Sequence, residues 1–251
     1  MSLLKKKNTR DLTGKAILTA ESPFAYKEAY KLLRTNLNFI TSTLGNCKKI
    51  VVTSSMPNEG KSIFAINLAI TLAENGAKVL LIDCDMRKPA LHRYLRVKEN
   101  YLRGLSSILS GKEELSNCVF FHPKHNFSFI LAGTIPPNPS EMLGSQSMND
   151  MLESLAGSFD YIICDAPPAG FVTDPIVLSQ HADGVLLIVR QSNTRRNMVH
   201  SVKQSFDSVN ANLLGVVLNR CDIREMRDRY SYHRYGYSYS YGYSKGNIEE
   251  Q

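Results

Sequence analysis

The chain is 251 residues long, 43% hydrophobic and 21% charged, which is ordinary for a soluble globular protein and enough for one α/β domain with a substantial core. Five cysteines without CxxC spacing argue against a disulfide framework or a zinc site, and no apolar stretch is long enough to span a bilayer. The net charge of +7 favours acidic partners, whether nucleotide, nucleic acid or anionic lipid, and does not choose among them.

Met1–Leu4 is followed by lysines and polar residues, so the sequence predicts no secretory signal and a cytoplasmic location. Lys5–Lys7 reads as a solvated end, or as a basic run held near an anionic membrane face. After an irregular lead-in over residues 1–20, Ser22 and Pro23 open a helix that runs to about Thr43. Ala29, Leu32, Leu33, Leu37 and Ile40 recur at helical spacing on it, which predicts packing against the core or a neighbouring subunit.

From Lys49 onward, apolar strand runs alternate with helical patterns. The strands expected are Ile50–Thr53, Val79–Ile82, Phe127–Leu131, Tyr161–Cys164, Val185–Val189 and Gly215–Leu218. The helices expected are Ser62–Asn75, Leu105–Leu109, Glu141–Leu155, Asp174–Gln180 and Arg195–Val209. Continuous Val/Ile/Leu strands between amphipathic helices predict an α/β fold, a mainly parallel sheet with helices on both faces. After Leu218 the pattern stops. Residues 222–229 are dense in charge, and 230–244 are almost entirely Tyr, Ser, Gly and Arg, which predicts a flexible tail.

The strand Ile50–Thr53 leads into Ser55-Met-Pro57-Asn58-Glu59-Gly60-Lys61-Ser62 at a helix start, a phosphate loop in which Ser55 replaces the first glycine. Helix-terminal amides would bind phosphate oxygens, Lys61 would reach the β and γ phosphates, and the Ser62 hydroxyl would ligate Mg2+. Asp83 and Asp85 follow one apolar strand, and Asp165 ends another. Ligands in open α/β sheets collect at the carboxyl ends of strands, so these carboxylates fall where Mg2+ and the γ-phosphate should lie. Asn219 and Arg220 follow the last strand, either to contact the base or as an ordinary polar pair.

The loop with Pro57, the D-x-D-x-R after an apolar strand, and the strand with D-x-P-P together resemble bacterial tyrosine kinases of the capsular polysaccharide type, P-loop proteins related to the Min/Par ATPases. The runs Met86–His92 and Leu131–Leu143 and the terminal tyrosines extend the likeness over roughly residues 21–243. The resemblance implies an ATP- and Mg2+-dependent protein-tyrosine kinase. In it Lys61 and the loop amides hold the phosphates, Ser62, Asp85 and Asp165 support the metal, and Asp83 accepts the tyrosine proton. How the three aspartates divide these roles stays open.

Tyr230, Tyr232, Tyr235, Tyr237, Tyr239, Tyr241 and Tyr243 are seven of the chain's twelve tyrosines, within fourteen residues. Such a tail could stack on single-stranded nucleic acid or be inert low-complexity sequence. Beside a phosphoryl-transfer site, it reads instead as the set of phosphoacceptors, with transfer in trans to a neighbouring copy. The family's E-x-x-R-x-x-R ring motif corresponds here to Glu28, Lys31 and Arg34, with lysine in the middle, which loses a planar bidentate fork. The resemblance further implies a homo-oligomeric ring, a transmembrane activator whose cytoplasmic segment completes the site at the inner face of the plasma membrane, and a cognate tyrosine phosphatase. It implies no nucleic acid. The role expected is regulation of capsular or exopolysaccharide synthesis and export.

The expected organisation is therefore a lead-in and oligomerisation helix over 1–45, a kinase core over 46–221 and the tail over 222–251. The rival reading is a Min/Par-type switch ATPase without kinase activity. Those proteins carry a signature lysine in the phosphate loop where this chain has Met56.

Overall fold

The computed structural model describes residues 17–97 and 102–221. The chain divides into two units, 1–219 and 220–251, and of the second only Arg220 and Cys221 are described. The basic run Lys5–Lys7 and the seven clustered tyrosines lie outside the described residues.

The strands are β1 (Lys48–Ser54), β2 (Val79–Asp83), β3 (Phe120–His122), β4 (Phe127–Ile130), β5 (Tyr161–Asp165), β6 (Gly184–Arg190) and β7 (Leu213–Asn219). They form one sheet in the order β3-β4-β2-β5-β1-β6-β7, parallel throughout except for β3 against β4. The helices are α1 (Phe24–Ile40), α2 (Lys61–Ala73), α3 (Leu91–Tyr94), α4 (Leu105–Leu109), α5 (Pro139–Leu143), α6 (Gln146–Ala156), α7 (Asp174–Leu178) and α8 (Arg196–Asp207). Side chains alternate across the strands. Ile50, Val52, Leu81, Ile163 and Ile188 pack with α1 and α2 on one face. Val51, Leu80, Ile82, Ile162 and Leu187 pack with α6 and α8 on the other.

The six strands read from the sequence are present, each within two residues at either end. β3, three residues long, partly exposed and at the sheet edge, was missed although the short apolar run Cys118–Phe121 leads into it. The single helix expected over Glu141–Leu155 is two. Gly144 closes α5, and Ser145 caps α6 by accepting the Met148 N–H at 3.3 Å.

α2 is buried along nearly its whole length, from Phe64 to Ala73, because α1 covers the side the sheet does not. α1 does so with Leu33 and Leu37, which the apolar spacing predicted, and with Tyr26 and Tyr30, which it did not. Leu32 and Ile40 are exposed. The side chain of Asn67 on α2 decides the rotation. It donates to the Tyr26 and Tyr30 hydroxyls at 2.8 and 3.2 Å and accepts the Leu18 N–H at 2.8 Å, so the two phenols turn inward.

Candidate active site

Parallel strands bring all their carboxyl ends to one edge, and β5 lies between β1 and β2. The loop after β1 therefore opens beside Asp83 and Asp165, which end β2 and β5 and face each other in the ladder.

The phosphate loop reverses through Asn58 (φ 64°) and Gly60 (φ 94°) before α2 begins at Lys61. The left-handed Gly60 is the N-cap, a conformation a side chain would strain. The first amides of α2 have no partner one turn back and so are available to an anion. Glu59, fully buried, braces the loop from within. Its carboxylate accepts the Met56 N–H at 3.0 Å and the Thr194 hydroxyl, while its carbonyl accepts the Asn219 side-chain amide at 2.8 Å. The segment after β5 closes the other side. Ala169 N–H donates to the Ser54 carbonyl at 2.8 Å, and a Cβ on Gly170 would lie 2.2 Å from the Ser55 carbonyl oxygen.

Lys61 stands at the centre. Its ammonium lies 2.9 Å from Asp85 and 3.4 Å from Asp165, and donates to the Ser62 hydroxyl at 3.4 Å. Burial alone would lower its pKa, but Asp165 and Asp85 together outweigh burial and hold the group above the ordinary lysine range. Asp165 is raised, by burial first, against the pull of Lys61 and Ser62. Asp83 is raised to about 7, by burial and then by Asp165, although it accepts the Leu91 N–H at 3.1 Å. It also accepts the N–H groups of Asp85 and Ala90, both at 3.2 Å, so one carboxylate shapes the turn 85–91. Asp85 itself accepts the Lys88 N–H at 3.0 Å.

Three buried carboxylates around one ammonium leave negative charge that a divalent cation would balance. Among the described residues two buried side-chain oxygens are unsatisfied, Asp165 Oδ2 and Ser55 Oγ. A buried acceptor without a partner is destabilising unless a ligand supplies one. Asp85, Asp165 and the Ser62 hydroxyl thus form an oxygen donor set that fits Mg2+, and the loop amides fit phosphate.

The AAA domain family matches residues 47–213. The tyrosine-protein kinase YwqD of Bacillus subtilis (strain 168) is 32% identical over 94% of this chain and 97% of its own length. The chain belongs to the bacterial tyrosine-kinase family. The tyrosine-protein kinase CpsD of Streptococcus pneumoniae is 36% identical over 84% of this chain and 90% of its own. The crystallised kinase domain of the Escherichia coli tyrosine kinase ETK superposes with a TM-score of 0.75, at 30% identity, over 91% of this chain and 88% of that one.

Within this family member, the phosphate loop, Asp83, Asp85 and Asp165 converge on one strand edge, as their spacing predicts. Asn219 is drawn to the Glu59 carbonyl, so its amide shapes the loop. Pro57 and Asn58 are exposed on the loop's outer turn. Glu28 and Lys31 pair with each other at 2.7 Å on exposed α1, whereas Arg34 turns inward and donates to the Thr71 carbonyl of α2 at 2.9 Å. Thr194, Gly170, Arg87 and Asp174 were not singled out from the sequence. Only Arg87, as the last residue of D-x-D-x-R, carried any signal. No described helix is long and apolar enough to cross a membrane.

Proposed function

We propose that this chain is an ATP- and Mg2+-dependent protein-tyrosine kinase that phosphorylates its own C-terminal cluster, Tyr230 to Tyr243, in trans. The observation that carries the reading is Lys61 held between Asp85 and Asp165 at the mouth of a phosphate loop, with Asp165 Oδ2 buried and unpartnered. The loop amides and Lys61 hold the triphosphate, and Asn219 fixes the loop that does so. Asn219, at the end of β7, is also the residue assigned to the base. Ser62, Asp85 and Asp165 hold the metal, whose chemistry is to neutralise charge on the β and γ phosphates. The tyrosine oxygen bonds to the γ-phosphorus as the bond to the β–γ bridging oxygen breaks and ADP leaves. The phenol proton passes to Asp83, whose carboxyl sits near neutrality and so suits a general base. To meet the phenol, Asp83 must release an amide of the turn it now holds.

Assembly into a ring through α1, with Glu28, Lys31 and Arg34, explains how a tail reaches another copy's site. Each phosphate adds about −1.5 to −2 charges, so several make the tail strongly negative and loosen the ring. Light scattering on unmodified and phosphorylated protein tests this, with equal masses counting against it. By likeness to its family, the kinase acts in capsule or exopolysaccharide production. There it works at the inner face of the plasma membrane, where a transmembrane partner's cytoplasmic segment activates it and a tyrosine phosphatase resets it. The deciding experiment is mass spectrometry of the 230–243 peptide after Mg-ATP, for wild type and Lys61→Met, with and without such a segment. Phosphotyrosine that requires Lys61 supports the reading. ATP hydrolysis with an unmodified tail throughout replaces it with a switch ATPase.

A further inference from the structure

The guanidinium of Arg87, two residues beyond Asp85, grips the Asp174 carboxylate with two parallel bonds, Nε to Oδ2 at 2.8 Å and Nη2 to Oδ1 at 2.9 Å. Nη2 also donates to Ser140 Oγ at 3.2 Å, and the Ser140 hydroxyl itself donates to Asp174 Oδ1. Asp174 opens α7 and is fully buried, and Ser140 lies in α5. Three separate segments therefore meet at one carboxylate. One arm is the turn that carries Asp85, and the second is the segment that starts from Asp165 and runs to α7. The third is the proline-rich stretch leading into α5.

We propose that Arg87, Asp174 and Ser140 form a clamp that positions Asp85 against Asp165, and so tunes the metal site between them. The clamp touches neither nucleotide nor metal. It acts through Asp85, and it rests on the reading of Asp85 and Asp165 as metal-supporting residues. The physical need for it is plain. Asp83 shapes the turn from below with three backbone amides, but those bonds fix the backbone and leave the outer arm untied. A carboxylate brought beside another buried carboxylate is pushed away by like charge. Lys61 offsets part of that push from inside the site, and a tie across to the opposite segment resists it from outside. A planar fork supplies it, because two parallel bonds fix orientation as well as distance, which a lysine does not. Ligand-orienting partners of this kind are worth about 10–100-fold in metal affinity.

The test uses the full chain and equilibrium binding of a fluorescent ADP, first in EDTA and then across a Mg2+ titration. Arg87→Lys keeps the charge and loses the fork. It is expected to keep wild-type ADP affinity in EDTA, while the gain in affinity on adding Mg2+ shrinks about tenfold. Ser140→Ala is expected to move the same quantity less. Hydrogen exchange on the nucleotide-free and metal-free protein should quicken over residues 85–91 in Arg87→Lys and stay unchanged over the phosphate loop. An unchanged Mg2+ gain in folded Arg87→Lys overturns the clamp, whatever the exchange shows. Lys61→Met separates the two ideas. If it leaves ADP binding and tyrosine transfer intact, the placement of the nucleotide and metal at Lys61 fails, and the Arg87→Lys result no longer bears on catalysis.

Discussion

The phosphate loop and the turn 85–91 both end at Lys61, yet they are held in different ways. The loop continues interior strand β1 into α2, a helix buried along nearly its whole length, and Glu59 ties it to Thr194, beyond β6, and to Asn219, at the end of β7. The turn follows β2, as far inside the sheet as β1, but its outer arm rests on Arg87, whose side chain is 41% exposed. The part that grips phosphate is built into the core. The part that sets metal geometry hangs from an ion pair at the surface. The contrast fits the partner activation proposed above, because elements that move in regulation come from the less stable end of a structure.

The first way to break that comparison is at their meeting point. Lys61→Met removes the one cation bonded to Asp85 and Asp165 among the described residues. Tyrosine transfer is expected to fall at least about 10²–10³-fold, the scale for losing one group that stabilises transferring charge. Folding should suffer too, by about 3–5 kcal/mol when charges are left unpaired in the interior. Lowering the pH should restore part of that loss by protonating the carboxylates, and a thermal melt at pH 5 and pH 8 would show it. A variant equally stable at both would mean that water already screens the pair.

Next in size is the brace. Thr194→Val leaves a buried Glu59 oxygen without its hydroxyl, at about 1–3 kcal/mol. Because Glu59 shapes only the phosphate loop, the KM for ATP should rise while the Mg2+ gain of the preceding section stays at the wild-type value. An equal loss in both would erase the distinction between the two halves of the site.

These two regions also differ in how far the sequence revealed them. Ser55–Ser62 is contiguous, lies between a strand and a helix, and has one known use, so the loop and Lys61 were legible outright. So were Asp83, Asp85 and Asp165, because an acidic residue at the end of an apolar strand has a fixed place in a parallel sheet. What the sequence hid was pairing across distance. Nothing near Asp174 marks it as the partner of Arg87, and Thr194 gives no sign that it serves Glu59. The inward face of α1 was only half read, Leu33 and Leu37 without Tyr26 and Tyr30, for a related reason. Spacing counts apolar residues, whereas here two tyrosines turn inward because a single asparagine on α2 offers their hydroxyls a partner.

A subtler test concerns Asp83, the carboxylate that shapes the turn from below. Its pKa rises from 3.8 to about 7, so the native state holds a proton that the unfolded chain has released across that interval. The resulting contribution to stability is present below about pH 4 and is lost as the pH climbs through about 7. Wild type should therefore lose melting temperature relative to Asp83→Asn between pH 5 and pH 8 in the absence of nucleotide and metal. Asp165 is raised in the same direction and remains in the variant, so the slope should shrink rather than vanish. A constant gap between the two proteins would mean that Asp83 is ionised throughout, held so by its three amide donors, and would remove it as a base near neutrality.

The smallest expected effect on folding lies on α1, away from both halves of the site. Leu32 and Phe39 are 62% and 74% exposed, beside the Glu28–Lys31 pair, while the opposite face of the helix is fastened to α2 by Asn67 and Arg34. Substituting Leu32→Asp and Phe39→Asp together removes no buried contact, so the change in monomer stability should stay within about 0.5 kcal/mol. If the ring forms through this helix, the same pair of charges falls within a subunit interface, where unpaired charge is costly, and the mass in solution should drop. Transfer to the tail would then become concentration-dependent, since the acceptor must arrive from a free copy. An unchanged mass would place the contact between copies elsewhere and leave Arg34, already committed to the Thr71 carbonyl, as a purely internal tie between α1 and the helix that carries Lys61.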